Sequence, residues 1–600
     1  MSDSPSLNAG GVVRVSVSSN GQALAETTRI ISVTINRAVN TIPSAVLVIA
    51  DGDMQSGTFP ISDTADLAPG ARIKICAGYG GSDGNGEDSI FEGVVIKQGI
   101  KIAGENRSRL IVECRDAAVK MTIGRRNANY IDQTDSDIIT NLIGAHNLHG
   151  GVAATAVEYK ELVQYYCSDW DFMLSRAEAN GQLVIVADGV VVVDAPQTTS
   201  RPTLAVTYGT DLIEFQAEID ARAQQRAVQT VSWDPKTQTS IASVCAMPAA
   251  LNAQGNLDSA TLAKVIGPAT FNLQTAAPQS KAALDSWAKA AQVKAGLARI
   301  RGRMKFQGSA KSKVGGLITI KGVGARYSGD VFVGAVRHEI VDGNWITEAE
   351  FGVAPEWFAE RTDIVAPLAA GLLPGVEGLQ IGVVMALDGD PEGLHRLKVS
   401  TPVMRITTDG VWARLAQFYA SDGAGVFFMP EVGDEVILGY LNNDPSSPII
   451  LGSMYSSRRN PPSALVAENN VKAIVTRSKL RIEFDDDDKV ITVTTPGSNK
   501  LIFSDKGQSI RVQDQNNNRL ELSPEGITLD SPKDIKISAK GTMTLDANGA
   551  INITSNADIK SVGLNVSCEG QVGFVGKGSA TAELSATGTA TVKGAIVMIN

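Results

Sequence analysis

Much that would mark an enzyme or a membrane protein is missing from this chain. Its five cysteines (Cys76, Cys114, Cys167, Cys245 and Cys568) are odd in number, far apart and never in a CxxC pair. That argues against a disulfide framework or a zinc ribbon and predicts five small apolar core residues instead. Histidines number four. His146 and His149 stand three apart in HNLH, but no cysteine or carboxylate nearby in the sequence completes a metal site. RHEIVD (337–342) is not HExxH, and His395 is expected as a structural residue in a strand. No catalytic residue, cofactor or metal is therefore expected. No apolar run approaches the ~20 residues that cross a bilayer. MSDSPSLNAGG at the start has neither a basic cluster nor an apolar stretch, so export by a cleaved signal peptide is not expected. An excess of positive charge is also lacking. The net charge of −10 is spread along the chain, which argues against a nucleic-acid partner.

Aromatic residues are scarce at 5%, while glycines number 58. That combination favours β structure with many turns. Residues 1–365 read as mixed, with strands dominant. RIISVTINRAV, SAVLVIAD, ARIKICAGY, SIFEGVVIKQGIKI and RSRLIVECRDA alternate as half-buried strands do. GGSDGNGEDS between two of them reads as a solvated hairpin loop rather than a cation or phosphate site. Helices interrupt the strands. DQTDSDIITNLIGAH offers Thr134 or Asp135 as N-cap and puts Ile138, Ile139, Leu142 and Ile143 on one face. SDWDFMLSRAEANG has Ser168 as cap, Asp171 three residues later and Gly181 as stop. Residues 279–304, rich in Ala and Lys without Pro, predict one long helix. Strand sets before about 120 and near 183–352 predict two barrel-like lobes, a hub domain over 1–365.

IVAPLAAGLLPGVEG carries two Pro and three Gly and reads as a linker, 366–378. Five strand-like runs follow in 379–462, the pattern of a small OB-type barrel. From 463 to 600 the chain reads as short strands. Cut in eights from Lys533, it gives KDIKISAK, GTMTLDAN, GAINITSN and ADIKSVGL. Ile535, Met543, Ile551 and Ile559 hold the third position; Ile537, Leu545 and Ile553 hold the fifth. The register loosens near GQVGFVGKGSA and recovers in ATAELSATGTATVKGAIVMIN. A fixed short period signals a solenoid or fibre. An octad makes one strand and a turn, which suits three identical chains wound round one axis, each forming a face of a prism. Small residues near 578–594 then fit the crowded axis, and strand edges pair between chains. At about 4.8 Å per stacked strand, ~130 residues per chain rise roughly 75 Å. The seven apolar residues above are the expected needle core. Ile596, Val597, Met598, Ile599 and Asn600 are the expected docking platform for a tip protein.

At this point the sequence resembles the VgrG spike family of contractile injection systems. VQYYCSDWDFMLSRAEANG resembles its hub motif, with Asp169, Asp171 and Phe172. FMPEVGDEVILGYLNNDPSSPIILG resembles its barrel signature, with Pro430, Glu431, Gly433 and Asp434. RLELSPEGITLDSPKDIKI and GTATVKGAIVMIN resemble its spike. The resemblance implies a mainly β homotrimer whose hub adapts a hexameric inner-tube protein to a threefold needle. It also implies baseplate contacts, a PAAR-type tip protein, effector cargo and a target envelope met only transiently. Assembly would be in the bacterial cytoplasm, with release on firing. Enzymatic extensions of the kinds some relatives carry have no counterpart in the sequence. GQVGFVGKGS has the wrong glycine spacing for a phosphate loop, and FDDDDKV reads as a solvated turn. The alternative, a β-helical adhesin or polysaccharide-degrading enzyme, needs sugar-stacking aromatics and paired carboxylates. Residues 471–600 offer only Phe484, Phe503 and Phe574.

Overall fold

The computed structural model describes residues 3–8, 11–80, 86–104, 107–402 and 410–599. They fall into two compact units, Met1–Met454 and Tyr455–Asn600. The architecture is mainly β.

In the first unit, period-two sequences become strands with one covered face. Along Ser44–Ala50, Ala45, Leu47 and Ile49 are fully buried while their neighbours are only partly so. The large sheet has thirteen strands. Its main path runs Leu212–Ile219, Ile300–Gln307, Asn344–Phe351, Gly329–Val341, Ile30–Ala38, Ser44–Ala50, Arg107–Arg115, Glu87–Ala103, Arg72–Tyr79, Val13–Ser19 and Gln22–Ala23. Distant parts of the chain meet where Ile30–Ala38 lies antiparallel to Gly329–Val341, from Ser32↔Val341 to Ala38↔Ala335. Two cores hang on this sheet. One gathers Leu47, Ile73, Phe91 and Leu110; the other gathers Met304, Phe306, Ile318 and Phe351. The two lobes are thus two cores on one continuous sheet, because the Ile30–Gly329 ladder runs between them.

A third core joins helix α1 (Asp135–Ala145) and helix α2 (Asp169–Ala179) to a three-stranded sheet of His149–Val152, Leu183–Ala187 and Val190–Asp194. Thr134 caps α1 and shares a full capping box with Asp137. Ser168 caps α2 by accepting from the Asp171 N–H. A short helix α3 (Ser259–Leu262) and a long helix α4 (Lys281–Leu297) complete the set. The helix expected over 279–304 is therefore shorter. Ile300–Gln307 is a strand in which Ile300, Met304 and Phe306 are buried. Gly302 allows its partner strand to approach: a Cβ there would lie 2.2 Å from the Gln216 carbonyl oxygen. Pairing on both edges overrides helix propensity there.

Five strands, Gln380–Ala386, Leu397–Ser400, Val411–Leu415, Pro448–Ser453 and Glu435–Tyr440, close a barrel around Val384, Val399, Val436, Leu438 and Ile450. His395 is not in a barrel strand. It sits exposed in the turn before Leu397, with φ +58°. The cysteines also differ from expectation. Cys114 is buried and Cys76 and Cys167 are partly covered, but Cys245 and Cys568 are exposed; Cys568 lies in 531–599, where no described residue is buried.

The second unit has two parts. Seven five-residue strands between Val471 and Asp530 pair in sequence order as an antiparallel meander. This differs from the uniform octad repeat expected from 463 onward. The reason lies in the turns. Lys479, Lys489, Ser498, Gln508 and Asn517 reverse the chain, each with φ between 45° and 71°. FDDDDK is one such reversal: Asp485 accepts from the N–H groups of Asp487 and Asp488, and Lys472 and Lys506 pair with Asp486 and Asp488. Beyond Gly526, no described residue has positive φ. There the chain bends instead at 532–533, 540–541, 548–549, 556–557, 564–565, 571–572, 579–580, 587–588 and 595–596. Every step is eight residues except 564 to 571, which is seven. The loosened register is a single-residue deletion.

Candidate functional site

Residues 531–599 form no strand pairing among the described residues of the chain. Their backbone repeats regularly, yet its hydrogen-bonding groups find no ladder. Their apolar side chains are uncovered too. The third-position residues Ile535, Met543, Ile551 and Ile559 are 49–59% exposed, and the fifth-position Ile537, Leu545 and Ile553 are 69–72% exposed. Exposed apolar side chains repeated at constant spacing make a stripe, and stripes of this kind mark interaction surfaces. Counting bends across the deletion adds Phe574, Ala582, Ala590 and Met598 to the third position. In the sequence the glycines around Phe574 hide its place in the period. Ile596, Val597, Met598 and Ile599 are exposed, three of them above 80%. Asn600 lies outside the described residues.

The motif residues of the hub have identifiable structural duties. Asp169 is buried and accepts from Arg126 Nε at 2.5 Å, His146 Nε2 at 2.8 Å and Gln164 Nε2 at 2.9 Å. Burial by itself would raise its carboxyl; the donors of Gln164, His146 and Arg126 outweigh that and hold it below the usual range. A carboxylate therefore does approach HNLH, through His146, whereas His149 opens the strand His149–Val152. Asp171 and Ser168 exchange hydrogen bonds at the start of α2. Phe172 is buried and stacks on Tyr130 at 5.7 Å. Beside them Asp135, fully buried, takes two bonds from Arg176 (2.6 and 2.9 Å) and one from Asn180. The sequence offers Asp135 only as a candidate cap, a duty that Thr134 takes. Its burial follows from α1 packing on α2.

In the barrel, Glu431 to Asp434 is a tight turn closed by Asp434 N–H to Glu431 O at 2.9 Å, with Gly433 at φ +87°. Gly433 N–H donates to Val384 O, and Val384 N–H to Asp434 O, so the turn is stitched to the strand Gln380–Ala386. Pro430 is buried beside it. These residues shape the barrel entrance to Glu435–Tyr440. GGSDG at 80–84 has the letters of GxSxG, but it connects two antiparallel strands, Arg72–Tyr79 and Glu87–Ala103, not a strand and a helix. Residues 81–85 of that loop lie outside the described residues.

The family model for the Alg8 N-terminal domain matches residues 9–342, more than half of the chain. The model for the type VI secretion system/phage-baseplate injector OB domain matches 380–455, the closed barrel. The chain belongs to the Alg8 N-terminal domain family and is a VgrG-type spike protein. Among curated relatives, the type VI secretion system spike protein VgrG3 of Vibrio cholerae is 32% identical over 146 residues, 23% of this chain and 13% of that protein. VgrG1b of Pseudomonas aeruginosa, also named a type VI secretion system spike protein, is 28% identical over 155 residues, 24% and 21% of the two chains. The matched stretches thus span about a fifth or less of those relatives. A prophage 43 kDa tail protein from Shewanella oneidensis aligns with 57% of the spike chain and 98% of its own, at 9% identity and TM-score 0.41.

Proposed function

We propose that this VgrG-type chain is a non-enzymatic trimeric hub and spike of a contractile injection machine. The hub adapts a hexameric inner tube to a threefold needle, bears on baseplate components, and the needle punctures the target envelope. The observation that carries this reading is the segment 531–599. Among the described residues its backbone finds no ladder and its apolar stripe no cover. Two sister copies supply both at once. Their strands satisfy the backbone groups that a lone octad leaves open, and threefold packing turns each apolar layer into an interior. The exposed Ile596–Ile599 end receives a PAAR-type tip protein, and effector cargo travels on the tip, the tube or the spike. Assembly takes place in the bacterial cytoplasm, and the protein leaves with the particle.

Light scattering on the purified full chain tests the trimer: three chains of 63.0 kDa are expected. A stable single-chain mass would overturn the reading. Docking at the end is tested by co-purification with a PAAR-type protein, which Ile596→Asp together with Ile599→Asp should abolish while leaving the trimer mass unchanged.

A further inference from the structure

The meander between Val471 and Asp530 is built inside out. In Arg481–Asp485, Ile482 and Phe484 are exposed, while Arg481, Glu483 and Asp485 around them are half-covered. The register extends this to the next five strands. Phe484 lies opposite Ile491, Ile491 opposite Phe503, Phe503 opposite Ile510, Ile510 opposite Leu522, and Leu522 opposite Ile527. Two residues away on each strand a second row, from Ile482 to Leu529, is apolar at every place. Opposed residues and residues two apart share a face, so both rows stand on one side of the sheet. The first row is 37–75% exposed. The ion pairs Arg481–Glu483, Arg511–Glu521 and Arg519–Asp530 stand on the other side. At about 70 Å² open per side chain, the two rows make roughly 800 Å² per chain, beyond the ~300–600 Å² patch of an ordinary monomer and equal to one side of a stable interface.

Geometry limits what covers this face. Neither row carries a charge, so the cover is apolar. A strand of five residues is about 17 Å long, and sheets pack ~10 Å apart face to face. Three such sheets closed into a triangle stand about 5 Å from their axis, half that spacing, so their side chains meet. Four would stand about 8 Å away and leave a bore. Two would also meet, but the octads that continue the chain take three.

The meander and the octads close differently. Each strand of the meander pairs with its neighbour in sequence, so one chain finishes its own wall before meeting another. Residues 531–599 find no ladder among the described residues and pair only once copies are together. Nor do the octads fix their own register. Sliding one chain by eight residues puts Ile551 in the place of Met543 and Ile559 in that of Ile551, at little loss. A wall has no such freedom. Its strands begin at 471, 481, 490, 500, 509, 519 and 526 and alternate in direction, so a slipped copy mismatches its layers and leaves an end strand bare. We propose that 471–530 is the surface by which two further copies of this chain are recognised and set in register: three finished walls dock by their apolar faces, and the octads interleave afterwards. This rests on the trimeric reading of the spike and adds to it the docking surface and the order of assembly.

The denatured full-length chain is returned to native buffer and sampled with hydroxyl-radical pulses, its mass followed by light scattering. Phe484 and Phe503 should lose reactivity as the trimer mass appears, before Met543 and Phe574 do. Ile491→Lys should lower the yield of full-length trimer ~10-fold or more, because three cations would enter an apolar interior. Thr492→Lys, on the opposite face, should leave the yield unchanged. A purified natural chain of single mass overturns the trimeric reading itself. A trimer in which Phe484 and Phe503 stay reactive or close after Met543 and Phe574, or equal yields from the two variants, overturns this proposal alone. If Ile491→Lys fails to fold, the order of protection in the natural chain decides.

Discussion

Replacing Ile551 by aspartate should take the spike apart, while Thr554→Asp three residues on should not. Ile551 holds the third position of the octad 549–556 and is 52% exposed in the chain. Thr554, an odd number of residues away, points to the opposite face of an extended strand. Burying one isoleucine contributes about 1.5–3 kcal/mol, so covering the exposed half in three chains is worth roughly 2–5 kcal/mol per layer. Aspartate forfeits that and brings three carboxylates together away from water, at several kcal/mol per ion. The sum is on the order of 10 kcal/mol per trimer, comparable to the whole stability of an ordinary domain. Sedimentation of the full chain, with the survival of the trimer on heating, measures this directly. Ile551→Asp should run as single chains or dissociate far below the unaltered protein, and Thr554→Asp should match it. If both variants behave alike, or Ile551→Asp keeps its trimer and its melting temperature, the apolar stripe is not an interior and the reasoning fails.

Three further expectations concern the first unit. Asp135→Asn should cost about 3–5 kcal/mol, because it leaves the largely buried Arg176 guanidinium without its carboxylate; hydrogen exchange over α1 and α2 should report it, and Arg176→Met in addition should recover much of the loss. Gly433→Ala should lower barrel stability by about 1–2 kcal/mol, since φ +87° suits glycine and strains alanine, read as faster exchange in Glu435–Tyr440. Burial, with the charges of Arg37 and Lys313, pulls the His338 imidazole down to about 3 from an ordinary 6.5. The unfolded chain therefore binds the proton first, so this contribution is whole above pH 6.5 and is lost as pH falls toward 3. About 2 kcal/mol should be gone by pH 5, and His338→Gln should flatten that part of the pH–stability profile.

The caps show what local sequence settles. Thr134 and Ser168 each accept from a backbone N–H three residues on, and such bonds need nothing beyond the segment that makes them. The octad stripe was equally legible, since period and side-chain type are properties of the string. The end of α4 was not, because helix propensity runs on through 298–304 while the pairing that claims Ile300–Gln307 comes from Leu212–Ile219 and Asn344–Phe351. Nor was the carboxylate on His146, which Asp169 supplies from 23 residues away.

By itself the sequence determined the β-rich class, the helix starts, the five-strand barrel and the eight-residue rhythm, all of which follow from local bonds and side-chain periodicity. Only the tertiary structure decided that 471–530 folds back on itself while 531–599 does not. Both stretches alternate alike; the difference lies in backbone angles at the corners, where five non-glycine residues reverse the chain in the first and none of the described residues does in the second. It also decided that two cores of the first unit share one sheet, since strands some three hundred residues apart must meet before that sheet exists.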